Sequence, residues 1–364
     1  MRSRLWLISG IAATAVAAAS ITSTAGAKEF YKGRTLNILI NYSAGGNTDI
    51  QGRSVMRYMK NHIPGKPRIL FRHLPGAGGI VAANFLGDVV KPDGFTLGVF
   101  TVPLMAQMMK APQLRVNLAD FIVMGAISQQ QIAHMRKTVK PGMNKPSDIL
   151  RVTESFKTAG HGPESSKDLR LRMMMEMLGI KHEHVTGYKS AGRIRTAIMQ
   201  NEVHFTSDSV TGYFSRVMAN LIKPGISIPI WHMGHSQPDG TFKRSDTVPA
   251  DIPTFQDIYQ MKFGKGKLPS GPAWDSLHLI AGMGEMLRIF FLPKGSPKAA
   301  VTALRGAWVK TMKDPGYQAE YRKQNGSELS GHEGAVAQKM LNKLANVEPR
   351  LQKFLLDYAN KGRK

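Results

Sequence analysis

The segment Ser43-Ala-Gly-Gly-Asn-Thr-Asp49 follows an apolar run, Leu36 to Ile40, and opens an amphipathic one, so it reads as a strand-to-helix turn. The first amides of a helix lack intrahelical acceptors and the helix dipole is positive at that end, which makes such a turn a site for a carboxylate or phosphate. Gly45 and Gly46 let the main chain approach an anion with no Cβ in the way, and Thr48 adds a hydroxyl. Asp49 is better suited to bonding helix amides than to touching an anion. A plain capped loop explains the same residues equally well. The turn is no P-loop, because no Gly-Lys-Ser/Thr follows, and Gly76-Ala-Gly78-Gly79-Ile-Val81 has Val where a dinucleotide fingerprint needs its third small residue.

Other residues invite chemistry less strongly. His182-Glu-His184 puts two imidazoles on one face of a strand with no evident third ligand, which fits a structural pair better than a metal site. His161 near Ser165 suggests a hydrolase, yet there is no Gly-x-Ser-x-Gly elbow. Met173-Met-Met175 and Met177 read as helix core. Arg72 and His73 precede the turn Pro75 to Gly79 and face either a cleft or solvent. Tyr188 would stack on a ligand or wall its neighbourhood, and Asp208, at a strand end, would bind a ligand amine or brace its loop.

The elements that position these residues alternate. Strands are expected at 36–40, 69–71, 95–102 and 121–127, with helices at 50–59 and 80–86. A turn at Gly160 to Ser166 leads to a Met-rich helix over 167–178, a strand near His184-Val185, a helix over 192–199 and a strand at 203–206. Two long C-terminal helices are expected, 298–313 and about 333–358. Strand, Gly-rich turn and helix in repetition predict an α/β fold with mainly parallel sheets.

Composition narrows the class. The 364 residues carry 49 Lys and Arg against 25 Asp and Glu, a formal charge of +24, and no cysteine. Without Cys there is no disulfide scaffold, no Cys-ligated metal, no Cys nucleophile and no acylated lipoprotein anchor. Arg2 and Arg4, the apolar stretch Leu5 to Ser20 and Ala25-Gly26-Ala27 form the pattern of a cleaved signal peptide, residues 1–27. Export to the periplasm makes nucleic acid an unsuitable partner for the basic charge.

Four stretches together resemble the substrate-binding receptors of tripartite tricarboxylate transporters, the Bug family of periplasmic solute-binding proteins. They are Ile38 to Asp49 with its Gly-Gly-Asn-Thr-Asp turn, Pro75-Gly-Ala-Gly-Gly79, Pro92-Asp-Gly-Phe-Thr-Leu97, and the series Tyr188-Lys189-Ser190, Glu202-Val203-His204 and Asp208. The resemblance implies a two-lobed α/β binding protein, type II-like, with lobe 1 at 28–127 plus 234–364, lobe 2 at 128–233 and a cleft between them. It implies a carboxylate ligand held by the amides of Ala44 to Gly46 and the hydroxyls of Ser43 and Thr48. At the other end, Gly160, His161, Ser165 and Ser166 are the candidates. It further implies permease subunits as partners, a monomer, no cofactor, no metal and no catalysis. Ser43 and Ala44 stand where the family has prolines, Asp168 stands where it often has His, and residues 255–287 run longer than usual. The alternatives are an exported α/β hydrolase or metal-dependent enzyme using His161, His182 or His184, and a basic protein attached to anionic lipid or polymer by charge alone.

Overall fold

A computed structural model describes residues 30–361, and the expected signal peptide lies outside the described residues. The first sheet forms around β1 (Thr35–Ile40), whose Leu36, Ile38 and Ile40 are fully buried. Parallel partners flank it, β2 (Arg68–His73) and β3 (Thr96–Thr101), reached through helices α1 (Asn47–His62) and α2 (Ile80–Asp88). β4 (Ile122–Ile127) is separated from β3 by β12 (Arg288–Leu292), which is antiparallel to both, and β13 (Gly331–Glu333) runs antiparallel along the outer side of β4.

The second sheet has the order β7 (His182–Val185), β6 (Phe156–Ala159), β8 (Phe205–Ser209), β5 (Gln131–Arg136), β9 (Ser227–His232). β6 is parallel to β7 and β8, whereas β5 is antiparallel to β8 and β9. Four strands of each sheet run in one direction, with β12 and β13 reversed in one and β5 in the other, so both sheets are mixed. Helix α4 (Ser166–Met177) starts where Ser165 accepts a hydrogen bond from the Asp168 amide, and Ser190 does the same for the Arg193 amide at α5 (Ala191–Met199). Met173, Met174 and Met175 are core, as their sequence context suggests.

The C-terminal region differs from its sequence reading. Four helices occur there, α8 (Lys298–Met312), α9 (Pro315–Asn325), α10 (Gly334–Leu344) and α11 (Pro349–Lys361). The expected helix at 333–358 is divided because Pro349 lacks an amide donor and begins a new helix rather than continuing the old one. Pro315 acts likewise behind Asp314, whose carboxylate accepts from the amides of Gly316 at 2.8 Å and Tyr317 at 3.1 Å. The long 255–287 stretch forms α6 (Phe255–Phe263) and α7 (Pro272–Gly284), neither of which the sequence reading placed.

Packing ties the halves together. α1, α8 and α9 cover one face of the first sheet around Val55, Leu304, Trp308 and Tyr317. A Cβ on Gly125 of β4 would come within 2.0 Å of the Trp308 ring, so only glycine lets that helix close down. A second cluster runs without interruption from Phe100 and Phe291 of the first sheet to Met173, Phe205 and Trp231 of the second. α7 and α11 join it, and Arg172 of α4 lies 4.5 Å from the Tyr358 ring of α11. Among the described residues no helix is long and apolar enough to cross a membrane.

Candidate functional site between the two sheets

The turn after β1 is organised by Asp49. Its carboxylate accepts from the Gly45 amide at 2.9 Å, from Arg53 Nε at 2.7 Å, and lies 2.7 Å from His73 Nε2. Burial alone would raise the Asp49 pKa, but the Gly45 amide, His73 and Arg53 outweigh it and hold the carboxyl below its ordinary value. The Gly46 amide donates to Ser43 O at 3.1 Å, and Gly45 takes a positive φ of 75°. His73 therefore serves this turn, and Arg72 stacks 4.7 Å from the Phe85 ring. Thr48 Oγ1 meets Thr101 Oγ1 at 2.8 Å across the C-terminal edge of the sheet.

The opposing turn, Gly160 to Ser166, is organised by Asp168 in the same manner. Its carboxylate accepts from the His161 amide at 2.7 Å and from Thr186 Oγ1 at 2.6 Å, lies 2.8 Å from His184 Nε2, and hydrogen-bonds Ser165 Oγ. Burial pushes Asp168 up, yet these bonds prevail and hold it at about 2. A Cβ on Gly160 would lie 2.2 Å from that carboxylate, so a side chain there is incompatible with the turn. His184 commits its other nitrogen to Thr158 Oγ1 at 2.7 Å, and His182 Nδ1 lies 3.1 Å from Ile180 O. His161 Nδ1 lies 2.9 Å from Tyr188 O, which places the ring proton there. Burial, then Lys167, pulls His161 down to about 4, so the ring is neutral at pH 7 with Nε2 left as an acceptor.

The first turn also reaches α5 and β8 of the second sheet. Asn47 Nδ2 donates to Asp208 Oδ1 at 2.8 Å, and Arg195 donates to Asp208 Oδ1 at 2.6 Å, to Asn47 Oδ1 at 2.9 Å and to Gly45 O at 3.2 Å. His134 Nε2 lies 3.1 Å from the other Asp208 oxygen. Burial would raise Asp208, but Arg195 and His134 hold it well below the usual carboxylate range. Asp208 therefore pairs with protein cations and amides. Tyr42 packs on His161 with ring centroids 4.9 Å apart and donates to Gly78 O at 3.0 Å.

Between these turns lies a cavity of about 50 Å³, its wall including Tyr42, Asn47, Thr48, Thr101, His161, Ser165 and Ser166. Three cations complete the wall, Lys167, Arg170 and Arg288, only 8%, 6% and 3% exposed. Lys167 Nζ and Arg288 Nε have no hydrogen-bond partner among the described residues, while Arg170 reaches Ser207 Oγ at 2.9 Å. Burial pulls Lys167 down to about 8 and both arginines to about 10. A buried, unpartnered ammonium costs several kcal/mol unless an anion compensates it. Asp208 and Asp168 offset part of the burial through space, yet neither hydrogen-bonds the ammonium, since Asp208 is paired with Arg195 and Asp168 with His184 and its turn.

Of the residues expected at the site, Thr48, His161, Ser165 and Ser166 line this cavity. Ser43, Ala44, Gly45, Gly46, Asp49, Gly160, Tyr188 and Asp208 surround it without lining it, as scaffolding or as contacts between the turns. The cations were missed. Their signal was local: Lys167 and Arg170 are one turn apart on a helix otherwise read as core, and Arg288 opens the apolar run Arg288-Ile-Phe-Phe-Leu292.

No family model matches the chain. Solved structures do: BugD, a periplasmic binding protein, superposes with a TM-score of 0.67 at 18% identity over 90% of this chain and 98% of its own. The chain has the fold of the Bug-type periplasmic binding proteins. The Bug fold also appears in MatC from Rhodopseudomonas palustris with bound malate, at TM-score 0.62 and 18% identity over 91% of this chain and 99% of that one. A second R. palustris protein, solved with adipate, gives 0.64 and 16% over 90% and 98%. In sequence, an Agrobacterium vitis UPF0065 protein from the TAR-I ttuE-ttuC' intergenic region is 26% identical over 241 residues, 64% of this chain. The chain spans 63% of that relative's length.

Proposed function

We propose that the chain is an extracytoplasmic receptor that captures a small carboxylate-bearing solute between its two sheets and delivers it to the permease of a tripartite tricarboxylate-type transporter. The observation carrying this reading is Lys167, a buried ammonium without a partner that lines the cavity beside Arg170 and Arg288. The malate and adipate in two structures of the same fold support the ligand class. In this reading the carboxylate meets Lys167, Arg170 and Arg288, with Ser166 and Thr48 beside it, whereas the amides of Gly45 and Gly46 stay committed to Asp49 and Ser43 O.

The two sheets become the cores of two lobes, residues 28–127 with 234–364 and residues 128–233. The connections Ser128 to Gln130 and Met233-Gly234 serve as the hinge. Glu285 braces both, accepting from Ser128 Oγ at 2.8 Å and lying 2.9 Å from His235 Nδ1. Contacts to a ligand from both lobes then shift the population toward the closed form. The hydrolase and metal-enzyme alternative has no comparable support, since Ser165 is a helix cap and His161 and His184 hold structural hydrogen bonds. The chain works in the periplasm in this reading, as BugD, a periplasmic binding protein, does. A thermal-shift screen of mono-, di- and tricarboxylates tests it. A ligand at 100 times its Kd stabilises the fold by about 2.7 kcal/mol, and a screen in which no anion raises Tm overturns the reading.

A further inference from the structure

The cationic cavity lies beside a second one. A chamber of about 30 Å³ shares Thr101, Gln131, Ser166, Arg170 and Leu287 with it, so the two adjoin, with Arg170 in the wall of both. Beyond these shared residues the wall changes character, to Val102, Leu104, Ile280, Met283, Met286 and Ile289. Among the described residues, no charged side chain other than Arg170 lines this chamber. The carbonyl of Gly284, which also borders it, already accepts from the Gln129 amide at 2.9 Å. Much of the wall comes from α7 and the residues that lead into β12.

We infer that the ligand is single-ended: one carboxylate held by the cations and a short apolar body in the thioether-lined chamber, with no second carboxylate at the far end. This inference deepens the receptor reading and rests on it. A carboxylate pushed past the shared residues Thr101, Gln131, Ser166 and Arg170, which carry the chamber's donors, would meet methyl and thioether groups and lose its water without gaining a donor. An alkyl group there exchanges water for close packing, and Met283 and Met286, being unbranched and flexible, adapt to its shape. A chamber of about 30 Å³ admits about two methylene-sized groups before its walls must move. The chain thus separates itself from dicarboxylate receptors by what lies opposite the anion, with the anion itself held in common.

Calorimetric titration of the purified protein with two matched series, acetate to hexanoate and succinate to adipate, tests this. Affinity for the monocarboxylates should rise about four-fold per added methylene until the chamber is full. Each dicarboxylate should bind about a hundredfold more weakly than the monocarboxylate of equal length. Dicarboxylates that bind as well as or better than their partners overturn the single-ended ligand and leave the receptor reading standing. Absence of binding in both series removes the receptor reading and this inference with it. Met283→Lys supplies the missing far-end donor and should shift preference toward the dicarboxylate by about tenfold or more; an unchanged preference in the folded variant counts against the chamber. If that variant does not fold, the wild-type series decide alone.

Discussion

Lys167 is the residue at which stability and binding oppose each other. Its ammonium is buried without a hydrogen-bond partner, so Lys167→Met should raise the ligand-free stability by about 1–2 kcal/mol in denaturant titration and lower carboxylate affinity by about a hundredfold. A melting temperature that falls in the variant would contradict the account. The pH dependence has a definite sign. Burial lowers Lys167 to about 8 in the free protein, and a bound anion favours its charged form. Affinity should therefore be level below pH 8 and fall by up to about tenfold per unit above it, with proton uptake on binding. The unliganded protein should itself gain stability from about pH 8 to about 10.4, where the unfolded chain holds the proton that folded Lys167 has lost. Lys167→Met should abolish both trends. None of this was visible in a net charge of +24, because a sum over 49 cations does not say which are desolvated. Lys167 and Arg170 were hidden in a helix whose methionines read, correctly, as core.

At the scale of the element, each cleft turn has an internal carboxylate as its organiser. Asp168 gathers the His161 amide, Ser165, Thr186 and His184, which fixes the start of α4 and with it the positions of Lys167 and Arg170. Asp168→Asn should cost about 2–3 kcal/mol, measured by urea unfolding, since at least one donor is left facing an amide N–H2. The wild-type protein should lose a contribution of about 2 kcal/mol as pH falls from the ordinary carboxylate range near 4 toward 2, because the folded pKa is depressed and the stabilisation exists only above it. An acid transition that Asp168→Asn leaves unaltered would remove this assignment. Elements of this kind were partly legible. Gly-rich turns between an apolar run and an amphipathic run marked β1 to α2, and the turn Gly160 to Ser166 marked the start of α4, though not Ser165 as its cap. The reversed strands β5 and β12 left no such punctuation. They are buried in the middle of their sheets, and alternation cannot register a strand that has no polar face. The C-terminal helices were read as too few because amphipathic periodicity continues through Pro349 although the hydrogen-bond ladder does not.

For the whole molecule, the decisive contact is the one between the turn after β1 and the α5 helix and β8 strand of the other sheet. Asn47, Gly45, Arg195 and Asp208 form a buried, charge-assisted network that closes the space around the cavity. A Cβ on Gly212 would come within 2.1 Å of the Asn47 amide group, so this approach also depends on glycine opposite it. Asn47→Ala should leave each sheet folded while favouring a more open molecule. Small-angle scattering should show a larger radius of gyration without ligand, and ligand affinity should drop about tenfold because closure must be driven by the ligand alone. Identical scattering curves and identical affinities would mean that the network plays no part in closure. The two-sheet architecture itself was legible through resemblance of several short motifs. The residues that touch across the cleft were not, since Asn47 and Arg195 lie 148 positions apart and nothing local pairs them.

The thioethers lining the chamber carry one more consequence. Met283 and Met286 are only 8% and 2% exposed, whereas Met199 and Met261, at 42% and 58%, stand in solvent. An oxidant such as peroxide meets the exposed pair first, converting to sulfoxides two methionines that line neither cavity. Prolonged exposure that reaches Met283 or Met286 would place a polar, chiral S=O where an alkyl group had packed, and the sulfoxide oxygen accepts hydrogen bonds but donates none. Oxidative ageing would then blunt recognition of the ligand's hydrocarbon part while sparing capture of its charge, and methionine sulfoxide reductase would restore it.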